Sequence, residues 1–406
     1  VTAYILGTAQ TDFARRISRE GGDLSDLMSE AVRGALAAAE IDPAAVEVGH
    51  VGNFTAELFR GQGQLGGLFA AIDPALAGVP ASRHEAACAS GSMALLAALA
   101  DLAAGFHGIA CVVGVEEMRN VSGQIAASHL AAAGRAEREQ TGATYFWPDQ
   151  FSRIADDYDR RYGLDPAHLA AIARTNYDHA RVNPLAQTRD WTFDDRAFTA
   201  HPEHNPVIEG RIRKTDCGQI TDGAAALIVA GEEVASRWAA ERGRPLASVA
   251  RITGWGHTTA PIELAGKLAA APDDGLAFPH IARAAAQARA QAGITVDQVD
   301  GFEVHDCFTI TELILLEHLG LAEPGRGGDR VAAGDIARTG ATPVNPSGGL
   351  IGCGHPVGAT GVRMVADAAR QVTGLAGAMQ VDGARRFQTL NIGGSFTTVA
   401  SFVVES

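Results

Sequence analysis

The stretch His84-Glu85-Ala86-Ala87-Cys88-Ala89-Ser90-Gly91-Ser92 runs directly into the apolar series Met93-Ala94-Leu95-Leu96-Ala97-Ala98-Leu99. This reads as an extended segment ending at a cysteine, with a helix starting just after it and Ser90 or Ser92 as its cap. The positive end of that helix is expected to favour a thiolate at Cys88 and to lower its pKa. Small neighbours leave room for a carbonyl group to approach the sulfur, and backbone N–H groups there suit an oxyanion. Taken by itself, the stretch has a competing reading as an ordinary buried cysteine.

Working outward, a strand opens the chain at Val1–Gly7. A helix follows, capped by Asp23, with Leu24, Leu27, Met28, Ala31, Val32, Ala35 and Leu36 along one face. Ile41–Val46 is a turn and Val48–Phe54 a second strand, so strand, helix and strand begin a parallel α/β sheet. Ile109–Val115 is a further buried strand. From about Arg119 to Lys214 the character changes, with Tyr145, Phe146, Trp147 and Trp191, several prolines and a helix over Ala167–His179. The α/β pattern returns at Thr221–Val229.

The second half repeats the first. Ala250–Gly254 matches the opening strand, Pro279 starts a helix, and Ile294–Val299 matches Ile41–Val46. Asp306-Cys307-Phe308-Thr309 falls where Gly52-Asn53-Phe54-Thr55 fell. Cys353-Gly354-His355-Pro356 leads into the helix Val362–Gln371, as Cys88 led into its own. An internal duplication explains this, and it sends loop-to-helix junctions from both halves to one cleft. The units expected are 1–118 plus 215–246, an inserted loop domain at 119–214, and 247–406.

Composition bounds the function. A chain of 406 residues, 47% hydrophobic and 20% charged, suits a globular enzyme of two or three units. A net charge of −14 with no basic tract excludes a general nucleic-acid binder. A local basic patch is still compatible with an anionic substrate. Cys88, Cys111, Cys217, Cys307 and Cys353 are scattered and odd in number, which offers neither a disulfide framework nor a metal-ligand pair. No apolar run is read as long enough to span a membrane, and Val403-Val404-Glu405-Ser406 is no peroxisomal address. A cytoplasmic protein is expected.

Three segments supply polar groups: Glu303–Phe308, the glycine-rich loop Asn345–Gly349 with Gly354-His355-Pro356, and Asn391–Ser395. Ala87-Cys88-Ala89-Ser90-Gly91, Gly354-His355-Pro356-Val357-Gly358-Ala359-Thr360-Gly361, and Lys214-Thr215-Asp216-Cys217 with Thr221-Asp222-Gly223-Ala224-Ala225-Ala226 resemble the thiolase superfamily over essentially the whole chain. Two departures are similar to its sterol-carrier-protein branch. His305-Asp306-Cys307-Phe308 stands where the best-known thiolases have Asn-Glu-Ala-Phe, and Asn391-Ile392-Gly393 stands where they have Cys-x-Gly.

The resemblance implies an α/β thiolase fold, two duplicated βαβαβαββ halves in an α-β-α-β-α arrangement. It implies an acyltransferase, either condensing acyl-CoA with acetyl-CoA or cleaving 3-oxoacyl-CoA with CoA. Cys88 inherits the nucleophile's role, His355 its base, Cys307 the second cysteine's proton transfer, and the N–H groups of Cys88 and Gly393 the oxyanion. His305 would hold a water at the second thioester. Coenzyme A is then a substrate, with no tightly bound cofactor and no metal. His257 and Thr258 lie where thiolases approach the pantetheine arm. Arg211, Arg213 and Lys214 are placed either to meet CoA phosphates or to form a solvated basic turn. Family members form homodimers or homotetramers, and some of this branch work with a small OB-fold partner. A carbon–carbon lyase on CoA thioesters and a non-catalytic acyl-CoA-binding protein are the competing readings.

Overall fold

The computed structural model describes residues 2–139, 142–272 and 275–406. Val1 lies outside them. In the N-terminal half the strands are β1 (Ala3–Gln10), β2 (Val48–Gly52), β3 (Ala81–His84), β4 (Ile109–Glu116) and, after the insertion and its ribbon β5 (Val207–Glu209) and β6 (Ile212–Arg213), β7 (Gly223–Ala230). The C-terminal half contributes β8 (Arg251–Thr259), β9 (Gly301–Val304), β10 (Arg386–Gly393) and β11 (Thr398–Glu405). The helices that layer against the large sheet include α1 (Leu24–Ala39), α2 (Ser90–Ala104), α3 (Pro279–Ala292), α4 (Thr309–His318) and α5 (Thr360–Val372).

The order β3-β2-β4-β7-β1-β8-β11-β10-β9 forms one nine-stranded sheet, and its two halves meet at the short β1–β8 contact. Pairing is mixed: β2 runs parallel to β3 and β4, and β9 to β10, while β7 and β11 are antiparallel to their neighbours. The duplication is visible element by element. β1 and β8 open the halves, α1 and α3 follow, and α2 and α5 each rise from a loop that carries chemistry.

Side-chain alternation along the strands sorts the core into layers. Tyr4 and Leu6 of β1, with Cys111, Val113 and Val115 of β4, pack on α1. Ala3 and Ile5, with Ala110 and Val112, face the other way and pack on α2 and α5, which also cover Phe387, Ala400 and Phe402 of the second half. The outer face of that half is closed by α3 and α4 over Val304, Leu390 and Ile392. The result is the expected α-β-α-β-α stack with α2 and α5 as its middle layer. Ala87–Ala104 is in fact long and apolar enough to cross a membrane by composition, contrary to the reading above, and 56% of it is buried in this middle layer.

The start of α2 sits hard against the loop that leads into α5. A Cβ on Gly91 would lie 2.6 Å from the Gly358 carbonyl oxygen, and one on Gly114 2.3 Å from the same atom. Glycine is what lets the two junctions converge. Residues 119–214 add helices and the β5–β6 ribbon, and those described contribute no strand to the large sheet. Helix Phe146–Tyr162 buries Phe151, Ile154, Ala155 and Tyr158, a helical stripe that packs against α4.

Candidate active site

Cys88 lies in a single 3-10 turn, Ala87–Ala89, between the end of β3 and the start of α2. Ala87 holds a left-handed φ of 51°, a conformation that costs an alanine about 1 kcal/mol and kinks the chain just before the cysteine. The kink is braced locally. Ala86 N–H donates to Ser90 Oγ at 2.9 Å, Ser90 Oγ donates to the Ala87 carbonyl at 2.6 Å, and Ala87 N–H donates to Glu85. Neither serine caps α2 as the sequence suggests. Ser90 holds the kink, and Ser92 Oγ donates across the molecule to Asn391 Oδ1 at 2.7 Å.

The sulfur of Cys88 and one ring nitrogen each of His305 and His355 lie within 4.8 Å of one another. The rings of the two histidines meet edge-on, with centroids 5.2 Å apart. His355 Nδ1 contacts Thr360 Oγ1 at 2.8 Å, and Thr360 Oγ1 donates its proton to the Pro356 carbonyl at 3.0 Å. The threonine therefore accepts from Nδ1–H, which leaves His355 Nε2 as a lone pair. Cys307 shares the cavity with Cys88, and its Sγ lies 3.7 Å from Thr311 Oγ1. Behind it, Asp306 Oδ1 and Oδ2 accept the N–H groups of Leu350 and Ile351 at 2.6 and 3.1 Å. Those residues belong to a π-helical turn, Gly349–Cys353, where the sequence reads as plain loop. This turn fixes the approach of the chain to His355.

Burial dominates the electrostatics. It pushes the Cys88 thiol up to about 12, against N–H donation from Gly394 and from Cys88 itself. The expected lowering by the helix end does not occur, because the desolvation of a thiolate outweighs a partial charge at the end of a helix. Burial also raises the Cys307 thiol. It pushes His355 down to about 3, aided by the charge of Arg363, and depresses His305 strongly. At rest both thiols and both imidazoles are neutral.

Of the two neighbouring glycines, Gly394 lines the cavity and turns its N–H to the Cys88 sulfur. Gly393, expected as an oxyanion donor, is the last residue of β10. A Cβ there would lie 2.2 Å from the Ala86 carbonyl, so it supplies the close approach of this turn to the nucleophile loop. Lys267 anchors the same turn. Its buried Nζ donates to Ser395 Oγ at 3.0 Å, Thr397 Oγ1 at 2.9 Å and the Ile262 carbonyl at 3.2 Å.

A cavity of about 820 Å³ opens above Cys88, Cys307, His355 and Gly394. Phe54, Met118, Leu130, Trp147, Phe151 and Phe308 give it an apolar wall, and Arg16, Arg119, Gln187 and Lys214 a polar one. Among the described residues, Arg16, Arg119 and Lys214 form no salt bridge, unlike Arg211, which is paired with Asp156 and Asp159. Lys214 is thus brought to the site. Arg213 is not, since its Nη1 donates to the Asn205 carbonyl. His257 and Thr258 also lie outside the cavity lining. They sit on β8 opposite Ala400 and Val399, with Thr258 Oγ1 donating to the His280 carbonyl. Cys217 lines the cavity, its segment held there by Gly218 N–H donating to the Cys307 carbonyl at 2.7 Å, while Cys111 and Cys353 are buried. Arg16, Arg119 and Lys267 carry no local sequence signal; only their partners in space single them out. Thr360 and Asn391 lie in motifs the sequence shows, but their roles come only from their partners in space.

Comparison with known proteins agrees with this geometry. The family pattern for the thiolase N-terminal domain matches residues 3–191, and the thiolase C-terminal domain-like pattern matches 267–406. The acetyl-CoA acetyltransferase of Methanothermobacter thermautotrophicus is 34% identical, over 98% of this chain and 97% of that one. Sterol carrier protein 2 of Gallus gallus is 29% identical over 96% of this chain and 69% of its own length. Among solved structures, the Ltp2-ChsH2(DUF35) aldolase has a TM-score of 0.79 at 23% identity, covering 100% of this chain and 98% of that one. Human mitochondrial 3-ketoacyl-CoA thiolase has 0.68 at 16% identity, with the same coverage. The two structural likenesses show the fold, and the family patterns with the archaeal relative show the lineage: the chain belongs to the thiolase family.

Proposed function

We propose that the protein is a thiolase that moves acyl groups between coenzyme A thioesters through an acyl-Cys88 intermediate. The observation that carries this reading is the joint placement of Cys88, Cys307 and the lone pair of His355 in one cavity. As the Cys88 sulfur attacks the thioester carbon, its proton passes to His355 Nε2, and N–H groups of Cys88 and the Gly393–Gly394 turn hold the oxygen. The bond to the CoA sulfur breaks, and the leaving thiolate takes the proton of the neutral Cys307 thiol. The Cys307 thiolate is then the base that removes the α-proton of a second acyl-CoA, whose thioester oxygen faces His305 and His355. The enolate attacks the acyl group, Cys88 leaves, and it recovers its proton from His355. Every proton is returned, and the reverse sequence cleaves a 3-oxoacyl-CoA.

The test is the intact mass of the protein after exposure to acetyl-CoA, with peptide mapping. An acetyl adduct on Cys88 is expected. A chain left unmodified by acetyl-CoA and by longer acyl-CoAs would sink the reading and promote a lyase or binding role.

Lys267 offers a second check. Burial pushes its ammonium down to about 8, with Glu139 opposing the shift. As pH rises through that value the ammonium loses a proton, one of its three donations goes, the anchoring of the turn weakens, and kcat is expected to fall. Lys267→Met should lower kcat by up to about 100-fold, near the lower end for loss of an oxyanion donor, and should lack this alkaline limb. An unchanged pH profile in the variant would remove Lys267 from the argument.

The same reading takes Arg16, Arg119 and Lys214 as the cations that meet CoA phosphates, and the division at 119–214 as the inserted loop domain. It also includes a homodimer or homotetramer, a cytoplasmic place in fatty acid metabolism, and a small OB-fold partner. The DUF35 component in the name of the aldolase with a similar fold supports the last of these.

A further inference from the structure

The Cys88–His305–His355 cluster has the spacing of a three-ligand site for a soft cation such as Zn²⁺. Whether it can act as one depends on which ring nitrogens carry protons. His355 already presents a lone pair, as Thr360 dictates. His305 is governed by Asn391, and the orientation of that amide is fixed without reference to the histidine. Asn391 Oδ1 accepts the Ser92 hydroxyl at 2.7 Å, and Nδ2 lies 3.2 Å from the Cys88 carbonyl, which can only accept. Packing allows little else: a Cβ on Gly361 would lie 2.6 Å from Asn391 Oδ1 and 2.3 Å from Ser92 Oγ. The second Nδ2 proton points at His305 Nδ1, 3.0 Å away. Nδ1 must therefore accept, and Nε2 carries the hydrogen.

We propose that Asn391 is a positioning residue that sets the tautomer of His305, so that this imidazole offers an N–H to the substrate oxygen and withholds the lone pair a metal ion would need. Metal-ligating histidines donate their outer nitrogen to a carboxylate or carbonyl. Asn391 inverts that arrangement. The two histidines beside the nucleophile consequently have opposite characters, His305 a donor for an oxyanion and His355 an acceptor for the thiol proton. One substitution should exchange the roles. Asn391→Asp puts an acceptor against Nδ1, moves the hydrogen there, and turns an Nε2 lone pair toward Cys88.

The experiment has two arms. In the wild-type protein labelled with ¹⁵N-histidine, the ring nitrogen shifts and couplings of His305, assigned by loss in His305→Gln, should report protonation at Nε2. A hydrogen on Nδ1 would overturn the proposal whether or not any variant folds. In the second arm, Zn²⁺ is titrated against a colorimetric chelator. Asn391→Asp is expected to bind one equivalent at least about 100-fold more tightly than wild type, and to lose that gain when combined with Cys88→Ala. Equal affinities for wild type and Asn391→Asp would also overturn it. The catalytic corollary rests on the acyl-transfer reading: Asn391→Asp should lower kcat by about two to three powers of ten with little change in KM, the pattern of a lost transition-state donor. Should the protein prove not to transfer acyl groups, that corollary fails alone, and the tautomer and zinc arms still decide the proposal.

Discussion

Replacing Cys307 by alanine is expected to leave acyl-Cys88 forming and to cut the condensation rate by about three to four powers of ten, the upper range for loss of a general acid–base group. The two half-reactions make different demands on that thiol. In acylation it only protonates a departing CoA thiolate, a leaving group that can depart at neutral pH without help. In condensation it must remove a carbon-bound proton, and His355, which at that stage holds the proton taken from Cys88, cannot serve as the base. Cys88→Ala makes the contrast, because without the nucleophile neither adduct nor product should appear. Intact mass after acetyl-CoA and the rate of acetoacetyl-CoA formation, measured on both variants, separate the roles. A Cys307→Ala protein that condenses at the wild-type rate would assign the α-proton to another base.

The outcome also bears on what the raised thiols mean. A thiol pushed up to about 12, as Cys88 is, would be inert if it had to ionise before reacting. With the His355 lone pair beside it, the proton can leave as the carbon–sulfur bond forms, and a thiolate made transiently where desolvation so disfavours its charge is a strong base. Such a cavity therefore suits a relay in which both thiols are neutral at rest and only Cys307 carries a charge between the half-reactions.

How much of this was legible in the sequence follows from the range of the interactions. The nucleophile stretch, the duplicated order of elements and the helix faces are local patterns, and they survive in β1–β4, α1 and α2 with ends shifted by a few residues. Lys214–Cys217 was recognisable as a segment, and Gly218 N–H shows why, since it ties that segment to the Cys307 loop. What sequence could not supply were contacts between distant residues. Asn391 meets Cys88 across 303 positions, and Ser92 meets Asn391 across 299. The thiol was expected to be acidified because the helix end is a local feature. The burial that overrides it comes from helix Gly123–Leu130, from Val357 and from Phe54 and Met118, packed around Cys88 from elsewhere in the chain. That His257 and Thr258 lie outside the cavity lining has a related reason: alternation on a strand gives two faces but not what lies over either of them.

The largest stability effect is expected at a residue that touches no substrate. Arg363 on α5 is completely buried, and its Nη1 lies 2.8 Å from Glu303 Oε2, 2.9 Å from Asp367 Oδ2 and 2.7 Å from Ser347 Oγ, its two protons shared among the three acceptors. It fastens β9, the loop before the π-helical turn and α5 at one point behind the two histidines. Arg363→Met should destabilise the protein by about 3–5 kcal/mol, because breaking a buried pair strands the carboxylates without a cation. The loss should depend on pH in a definite sense. Burial raises the Glu303 pKa and Arg363 opposes the rise. A carboxyl raised in the folded state keeps a proton that the unfolded chain releases, so stability falls as pH climbs from the ordinary carboxylate pKa through the raised one. Without Arg363 that interval extends upward. At about pH 5 the variant can protonate Glu303 and shed much of its penalty, whereas at about pH 8 it must either hold a buried charge or bind a proton against the gradient. Urea unfolding at the two pH values should therefore show the larger deficit at the higher one. Equal deficits would mean that Arg363 stabilises by packing alone, and its charge would then also lose its claim to hold His355 and His305 in the neutral forms on which the acyl relay depends.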